Sequence, residues 1–444
     1  MLGEYRIEGR RASEIAASVE RGVGSGSLEP GQSLPPMREL AIVLGVNPNT
    51  VAAAYRTLRE RGVIETDGRR GSRVRPRPAT TARGSLRVEV PAGVRDVSKG
   101  NPDPNLLPPL GEALAEVARH YAERPGLYGE APVDEEFGRL ARAAFDADGV
   151  PAGPVGVASG SLDAIERVLV ARLRPGDAVA VEDPGWGSLL DLVPALGLRP
   201  VPVAVDDEGP LPEGVERAIR EDGARAVIIT DRAQNPTGAC VTEARARRLR
   251  RILVAHPSVL LVEDDHGQGI VAHPLHPLAG ATEHWVLVRS VAKAYGPDLR
   301  IAAFTGDAET VDRVLGRQGL GPGWVSKLLQ RAVVHLWDTD AVDPVAVARA
   351  YDKRRDGLVR ALARRGVEAH GRGGMNVWVP VPDETGALSR LLAAGWAAAP
   401  GARFRMETGP AVRLTVSCLS AADVDSLAGA VARAVAPAPP RSYG

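Results

Sequence analysis

One lysine lies where a side-chain amine can do covalent chemistry. In RSVAKAYGPDLRIA, Ser290, Lys293 and Arg300 follow an apolar stretch that predicts a buried strand. An amine at a strand end can hold an aldehyde cofactor as an internal aldimine, and an arginine seven positions later can bind its phosphate with a planar fork. Because lysine is rare in this arginine-rich chain, Lys293 is a candidate for a site that requires an amine.

Two motifs upstream supply groups that complement a pyridine-type cofactor. VLLVEDDHG places Asp264 just past a strand, where a carboxylate pairs with the pyridine nitrogen and keeps it protonated. AQNPTGA offers Asn235 as a hydrogen-bond donor to the phenolic oxygen of the ring, and EDPGWG offers Trp186 for stacking. The pattern predicts one site shared by these side chains and Lys293.

Binding groups for a phosphate and a carboxylate complete this set. ASGSLDAIERV predicts a helix beginning near Ser161, so the backbone amides of Gly160, Ser161 and Leu162 can receive a phosphate at its N-terminus. Arg413, in AVRLTVS, lies on a late predicted strand and can hold a substrate carboxylate.

Each residue also has an ordinary structural explanation. Lys293 can be a surface lysine, Asp264 a helix cap, Trp186 a core residue, and Arg413 a member of a surface ion pair. The segment 160–161 can be only a turn and a cap. The occurrence of all the motifs in one chain favours the cofactor site over these separate explanations.

Short apolar strands alternate with amphipathic helices from Gly100 onward. The strands are VGVA at 155, AVAVE at 178, AVIIT at 226, VLLVE at 259 and WVLVR at 285. Such alternation predicts an α/β domain with a mainly parallel sheet between helices. We expect this domain to span residues 98–436, with a smaller α+β subdomain from about residue 345.

The first 77 residues have a different pattern. Apolar residues at helical spacing predict a helix over residues 12–24 and a second in MRELAIVLG, which Gly45 ends. Asn47 and Pro48 predict the cap and first turn of a third helix. VIET and GSRVRP, joined by Asp67-Gly68, predict a β-hairpin, and residues 78–97 a linker.

This pattern is that of a winged helix-turn-helix, whose third helix enters the DNA major groove. We expect three exposed polar residues at its start to meet bases or phosphates, and arginines on the preceding helix and the wing to contact phosphates. The predicted DNA-binding residues are Arg38, Asn47, Asn49, Thr50, Arg69 and Arg70. The competing explanation is a small helical cap with a solvated arginine face.

These motifs resemble known families. The segment LEPGQSLPPMRELAIVLGVNPNTVAAAYRTLRERGVIETDGRRGSRV resembles the DNA-binding domain of the GntR family, and residues 100–435 resemble the fold-type I aminotransferases. Joined, they resemble the MocR subfamily of GntR-type transcription regulators. The resemblance implies pyridoxal phosphate as the cofactor and a head-to-tail, domain-swapped homodimer whose cofactor sites use both chains.

The resemblance also bears on two further residues. Tyr128, in YGEAP, resembles the segment that reaches the partner subunit's phosphate in this family. His266 stands where the family frequently has a tyrosine that hydrogen-bonds the cofactor's phenolic oxygen, so we expect a bond there with a different pH response.

The composition of the chain argues against disulfides, metal sites and a membrane location. Cys240 and Cys418 are too few for a disulfide framework or a zinc site, and no metal is expected. No stretch has the length of a membrane span and no apolar signal precedes the domains, so we expect a cytoplasmic protein without a membrane partner. Zero net charge confines any basic surface to local patches.

Two functions fit these residues. The first is a regulator that binds an operator in double-stranded DNA, holds pyridoxal phosphate on Lys293, and senses an amino compound or pyridoxal phosphate itself. The second is a working aminotransferase with an appended DNA-binding-like domain, so enzymatic activity is left open. An arginine-bearing head with the complete helix and hairpin pattern favours the regulator.

Overall fold

The computed structural model describes residues 5–24, 27–29, 31–60, 63–66, 71–74 and 90–436. We call the described part of residues 5–74 the head and residues 90–436 the body. No helix in these described ranges is long and apolar enough to cross a membrane.

The head contains three helices and a hairpin, as predicted. They are α1 (Ala12–Gly24), α2 (Met37–Leu44), α3 (Pro48–Glu60), β1 (Ile64–Thr66) and β2 (Ser72–Val74). Gly45 ends α2 at φ 62°, a left-handed conformation that glycine adopts without strain. The side chain of Asn47 accepts a hydrogen bond from the amide of Asn49 at 2.9 Å, which caps α3. The hairpin is antiparallel, with Ile64 opposite Val74.

The apolar faces of these helices form one small core. Ile15, Val51, Tyr55 and Leu58 are fully buried, and the hydroxyl of Tyr55 donates a hydrogen bond to the carbonyl of Pro35 at 2.8 Å. Val51, Tyr55 and Leu58 thus form a buried apolar stripe along α3. Burial of such a stripe against α1 and α2 stabilises a head of this size because its short helices are marginal in isolation.

The body is built from alternating helices and strands. Its helices are α4 (Gly111–Glu123), α5 (Glu135–Ala147), α6 (Ser161–Arg172), α7 (Gly187–Ala195), α8 (Pro212–Arg220), α9 (Glu243–Val254), α10 (Ala292–Tyr295), α11 (Ala308–Gly319), α12 (Lys327–Asp338), α13 (Pro344–Ala363), α14 (Glu384–Ala393) and α15 (Ala421–Val435). Its strands are β3 (Arg95–Asp96), β4 (Val155–Ala158), β5 (Ala178–Asp183), β6 (Arg199–Asp206), β7 (Gly209–Pro210), β8 (Ala224–Thr230), β9 (Leu260–Asp264), β10 (His284–Ser290), β11 (Ala302–Gly306), β12 (Asn376–Pro380), β13 (Trp396–Ala397), β14 (Ala399–Pro400) and β15 (Ala411–Thr415). Single 3₁₀ turns lie at Pro104–Leu106, Pro297–Leu299 and Gly401–Arg403.

The large sheet has the strand order β4-β11-β10-β9-β8-β5-β6-β7. β8, β9 and β10 are parallel, with Thr230 opposite Asp264 and Asp264 opposite Val288. β11 is antiparallel to both of its neighbours, β10 and β4. The carboxyl ends of β9 and β10 therefore meet at one edge of the sheet, and this edge carries the segments of Asp264 and Lys293.

The smaller subdomain follows α13, near the predicted position. It contains a three-stranded sheet in the order β12-β15-β14, in which Trp378 lies opposite Arg413. β13 pairs in parallel with β3, so the strand Arg95–Asp96, inside the predicted linker, is part of this region. An apolar core between α13, α14, α15 and the sheet holds β15, and hence Arg413, in place.

Candidate cofactor site and DNA-binding surface

A cavity of about 1000 Å³ brings together the predicted cofactor residues Trp186, Asn235 and Lys293 with the predicted carboxylate-binding residue Arg413. The residues that line it are Val90, Ser98, Lys99, Gly100, Asn101, Trp186, Gly187, Ser188, Asn235, Lys293, Ala398, Pro400, Arg403, Phe404 and Arg413. This volume is ample for a cofactor and a small ligand together. Among these lining residues four side chains are cationic and none is a carboxylate, which suits an anionic ligand.

Lys293 lies on the short helix α10, directly after β10. Its Nζ donates a hydrogen bond to the carbonyl of Gly100 at 2.6 Å. Burial and the nearby Arg413 guanidinium lower the pKa of Lys293 to about 8. A lowered pKa increases the fraction of neutral amine near pH 7, which is the form that attacks an aldehyde.

Asp264 ends β9 and is almost completely buried. Its Oδ2 lies 2.9 Å from Nδ1 of His266, whereas its Oδ1 has no hydrogen-bond partner among the described residues. A buried oxygen without a partner costs free energy unless a ligand supplies a donor. Oδ1 is therefore free to accept a hydrogen bond from a protonated pyridine nitrogen, as predicted for the cofactor site.

His266 makes two hydrogen bonds within the protein. Nδ1 faces Asp264, and Nε2 lies 2.9 Å from the carbonyl oxygen of Ala233. Burial disfavours the charged ring, but the charge of Asp264 and its hydrogen bond outweigh burial and raise the pKa of His266. Both ring nitrogens thus have hydrogen-bond partners within the protein. The geometry therefore supports a role for His266 as a partner of Asp264, and not as a partner of the cofactor's phenolic oxygen.

The start of α6 has the features of a phosphate site. Gly160 has φ 96°, and a Cβ at this position would lie 2.7 Å from Nη2 of Arg300. The Oγ of Ser161 is buried without a hydrogen-bond partner among the described residues. Arg300 is anchored by a 2.7 Å hydrogen bond to the carbonyl of Ser159. With the amide of Leu162 beside them, these groups fit a phosphate at a helix N-terminus.

Arg413 is buried and held by neutral groups. It donates to Oδ1 of Asn235 at 3.0 Å and to the carbonyl of Ser98 at 2.6 Å, and its guanidinium lies 4.6 Å from the ring centre of Phe404. Burial and the nearby Arg403 lower the pKa of Arg413. A buried guanidinium with only neutral acceptors is stabilised by an anion, and a ligand carboxylate supplies one.

Eight predicted cofactor residues are not among those that line the cavity: Tyr128, Gly160, Ser161, Leu162, Asp264, His266, Ser290 and Arg300. The Oγ of Ser290 accepts a hydrogen bond from the amide of Ala292 at 3.2 Å, so in this structure Ser290 caps the turn that carries Lys293. Tyr128 is 92% exposed and packs edge-to-face on Trp324 at 5.6 Å. Within one chain, Tyr128 is not brought to the cofactor cavity.

Sequence reasoning missed several residues of this site. Ser98 and Gly100 contribute backbone carbonyls, which the sequence does not identify. Arg403 ends the 3₁₀ turn before β15, and Phe404 follows it directly. The signal available in the sequence was Phe404 itself, an aromatic residue in a chain with few aromatics.

A chain of buried ion pairs links the segments at the carboxyl ends of the central strands, next to the site. Asp265 binds two guanidiniums, with Oδ2 at 2.6 Å from Arg232 and 2.9 Å from Arg289, and Arg289 also pairs with Asp148. This chain of ion pairs joins β10 and the turns after β8 and β9 to α5. Because each charge has partners of opposite sign, the ends of the strands are fixed relative to one another.

The predicted DNA-binding residues lie on the surface of the head. Arg38 on α2 is exposed, as are Asn47 and Asn49 at the start of α3, and Thr50 is half-buried beside them. Asn47 is also the cap of α3. Arg69 and Arg70 lie outside the described residues. The helices α2 and α3 thus present the arrangement expected of a helix-turn-helix.

Comparison with known proteins identifies a protein family for the body and another for the head. The family described as aminotransferase class I and II matches residues 105–431, and the family of bacterial regulatory proteins, gntR family, matches residues 11–74. The vitamin B6 salvage pathway transcriptional repressor PtsJ of Salmonella typhimurium is 39% identical over 97% of this chain and 99% of PtsJ. The HTH-type transcriptional regulator YdcR of Escherichia coli is 25% identical over 58% of this chain and 60% of YdcR.

Solved structures match the body. The aspartate aminotransferase of Thermus thermophilus with maleate has a TM-score of 0.66 and 27% identity, covering 77% of this chain and 91% of that chain. The kynurenine aminotransferase of Pyrococcus horikoshii in complex with PMP has a TM-score of 0.68 and 21% identity, covering 78% and 91%. The chain therefore belongs to the aminotransferase class I and II family, and its gntR-family domain makes it a DNA-binding transcription regulator of the MocR type with pyridoxal phosphate as cofactor.

Proposed function

We propose that this protein is a transcriptional repressor whose DNA binding depends on the occupancy of the Lys293 site by pyridoxal phosphate. The observation that carries the proposal is the match to the vitamin B6 salvage repressor PtsJ across nearly the whole length of both chains. A match of that extent includes the head and the cofactor site together. Aminotransferases match the body alone and more distantly, so a working aminotransferase is not favoured.

The predicted cofactor residues have complementary roles in this proposal. Bound pyridoxal phosphate supplies an aldehyde that reacts with amines and a ring that withdraws electrons. Lys293 provides the amine that holds it, and Oδ1 of Asp264 accepts a hydrogen bond from the protonated pyridine nitrogen. Ser161 and Arg300 bind the phosphate. Two buried polar atoms without protein partners, Ser161 Oγ and Asp264 Oδ1, support this fit.

Arg413 is the residue that supports a second ligand, bound in addition to pyridoxal phosphate. Its guanidinium faces the same cavity as Lys293 and has only neutral hydrogen-bond acceptors, which supports a carboxylate-bearing amino compound as effector. The alternative is that pyridoxal phosphate alone is the signal. The two differ because an effector acts only if it binds one arrangement of the protein more tightly than another.

Exposed apolar residues support a homodimer. Leu127, Tyr128, Leu320, Trp324 and Leu328 are all exposed and lie on nearby segments around the start of α12. A cluster of this kind on one surface is typical of a protein interface. We propose that Tyr128 reaches the phosphate of the partner's cofactor in this dimer.

We also propose that each chain has a DNA-binding domain at residues 1–77, a linker at residues 78–97 and a cofactor-binding domain at residues 98–436. The regulator would then work in the cytoplasm, where its DNA lies.

The test combines the absorbance spectrum of the purified protein with binding to DNA from upstream of its own gene. Binding is measured without additions, with pyridoxal phosphate, and with pyridoxal phosphate plus single amino acids. Binding that changes with pyridoxal phosphate alone supports the cofactor as signal, and a change only with an amino acid supports an effector at Arg413. Rapid transamination without DNA binding would contradict the regulator and establish an aminotransferase.

A further inference from the structure

One face of α13 carries a row of cationic side chains. Arg349, Lys353, Arg360 and Arg364 are all exposed, and we call them the α13 stripe. Their spacing of four, seven and four residues places them within about 60° of one another around the helix axis and along about 22 Å of its length. The stripe is therefore a row of four cations on one face of the body, with Asp356 between Lys353 and Arg360.

The charges of the α13 stripe have no partners among the described residues. None of the four forms an ion pair or side-chain hydrogen bond among the described residues. Some other exposed arginines of the body pair with acids one turn away, as Arg220 does with Glu216, Arg247 with Glu243 and Arg313 with Glu309. Unpaired cations in a row repel each other, and a polyanion relieves that repulsion.

Acidic residues near the stripe are already engaged. Asp356 lies on the same face but accepts a 2.7 Å hydrogen bond from Arg355, and Asp425 accepts one of 2.7 Å from Arg365. A groove of about 590 Å³ runs beside the stripe, lined by Lys353, Arg360 and Arg364 and by the start of α15. The surface thus combines a basic row with a depression that can receive a chain of phosphates.

We propose that the α13 stripe is a second DNA-binding surface, which contacts the phosphate backbone of the DNA that the head recognises. DNA is the polyanion to which a gntR-family regulator binds. Its helix carries about one negative charge for every 1.7 Å of axis, so a 22 Å row of cations meets a dense line of charge. Arginine binds phosphate with a planar fork, and three of the four side chains are arginines. Such contacts add affinity without reading sequence.

The test replaces Arg349, Lys353, Arg360 and Arg364 by glutamine in the full-length protein loaded with pyridoxal phosphate. Binding to the DNA upstream of its own gene is measured at several salt concentrations. Each phosphate contact contributes about 0.9 to the slope of log affinity against log salt, so we expect the slope to fall by up to about 3.6. A matched control replaces four ion-paired arginines, Arg220, Arg247, Arg248 and Arg313, and changes the net charge equally.

The outcomes are distinct. The proposal is supported if the stripe variant loses slope and affinity while the control does not, and if a variant with lysine at all four positions retains both. It is overturned if the two glutamine variants behave alike. It is also overturned if the stripe variant keeps DNA binding but loses binding to RNA or to anionic lipid vesicles. Absence of operator binding by the unmodified protein would instead contradict the regulator itself, on which this inference rests. The absorbance spectrum shows that each variant is folded and loaded.

Discussion

Nδ1 of His266 lies 2.9 Å from Oδ2 of Asp264, while Nε2 of the same ring lies 2.9 Å from the carbonyl oxygen of Ala233. Both neighbours accept hydrogen bonds, and a neutral imidazole has only one N–H. Only the charged ring satisfies both contacts, so His266 balances the charge of Asp264. A tyrosine at this position would leave that carboxylate without a cationic partner on this side.

This relationship predicts a pH-dependent contribution to stability. The pKa of His266 is raised in the folded protein, so its contribution is fully present below the ordinary imidazole pKa of about 6.5. It is lost as the pH rises through the raised value. We expect His266→Asn to reduce the free energy of unfolding by about 2 kcal/mol at low pH and by less at high pH. Urea unfolding of both proteins across this range measures the difference, and a constant difference would contradict the charged ring.

Lys293→Ala tests the covalent attachment of the cofactor. We expect the visible absorbance of the lysine-bound cofactor to disappear while circular dichroism is unchanged, because alanine removes the only amine placed on α10. Lys99→Ala is the control, since Lys99 lines the same cavity but pairs with Asp96 and is mostly exposed. Retained absorbance in Lys293→Ala would show that the attachment site has been assigned incorrectly.

Ser161→Ala separates binding of the phosphate from stability. The Oγ of Ser161 is buried without a partner, so its removal should leave the thermal stability of the cofactor-free protein unchanged or slightly higher. Loss of a hydrogen bond to a charged phosphate should weaken pyridoxal phosphate binding by about tenfold or more. Fluorescence titration measures this affinity. Ser389→Ala, which removes an exposed hydroxyl bonded to the carbonyl of Thr385, should change neither property.

Arg413→Lys tests recognition of a ligand carboxylate. Lysine keeps the charge but loses the planar fork, so we expect amino acids to bind at least about tenfold more weakly. Amines that lack a carboxylate should bind as before, and this contrast distinguishes lost recognition from general damage. Absorbance changes of the loaded protein on titration provide the measurement. Arg390→Lys, on α14, serves as the control. Equal weakening for both ligand classes would argue against a carboxylate at Arg413.

Arg38→Ala and Thr50→Ala test the head as the DNA-binding element. Each should weaken operator binding by roughly 1 kcal/mol or more while cofactor content stays constant. Fluorescence anisotropy with upstream DNA gives the affinity, and Arg220→Ala on the body is the control. If both head variants bind like the unmodified protein, another surface reads the operator.

Much of this fold could be predicted because local signals and burial agree. The apolar stripe of α3, its Asn47 cap and the Gly45 turn each specify the same helix pair. The buried strands ending at Asp264 and Ser290 were evident from continuous apolar residues, and parallel pairing then brings Lys293 and Asp264 to one edge. The antiparallel β11 was not predicted, because strand direction depends on connections that residue patterns do not encode.

The role of His266 was beyond prediction for a related reason. Family resemblance placed it at the phenolic oxygen, but the ring instead meets a carboxylate two residues away and the carbonyl of Ala233. A smaller ring at a tyrosine position has a shorter reach, and which acceptor it meets depends on packing between β8 and β9. Arg403 was missed because its turn joins the cavity only through the packing of the smaller subdomain.

The hydrogen bond from Lys293 to Gly100 has a consequence for communication within the molecule. Residues 98–100 follow β3 near the start of the body, and they are tied to the cavity by Lys293 at Gly100 and by Arg413 at Ser98. If Lys293 held the cofactor, its nitrogen would have fewer protons to donate, and its hydrogen bond to the Gly100 carbonyl would be weakened or lost. We therefore expect amide exchange along residues 98–100 to differ between the cofactor-free and the loaded protein, so that this stretch reports whether the site is filled.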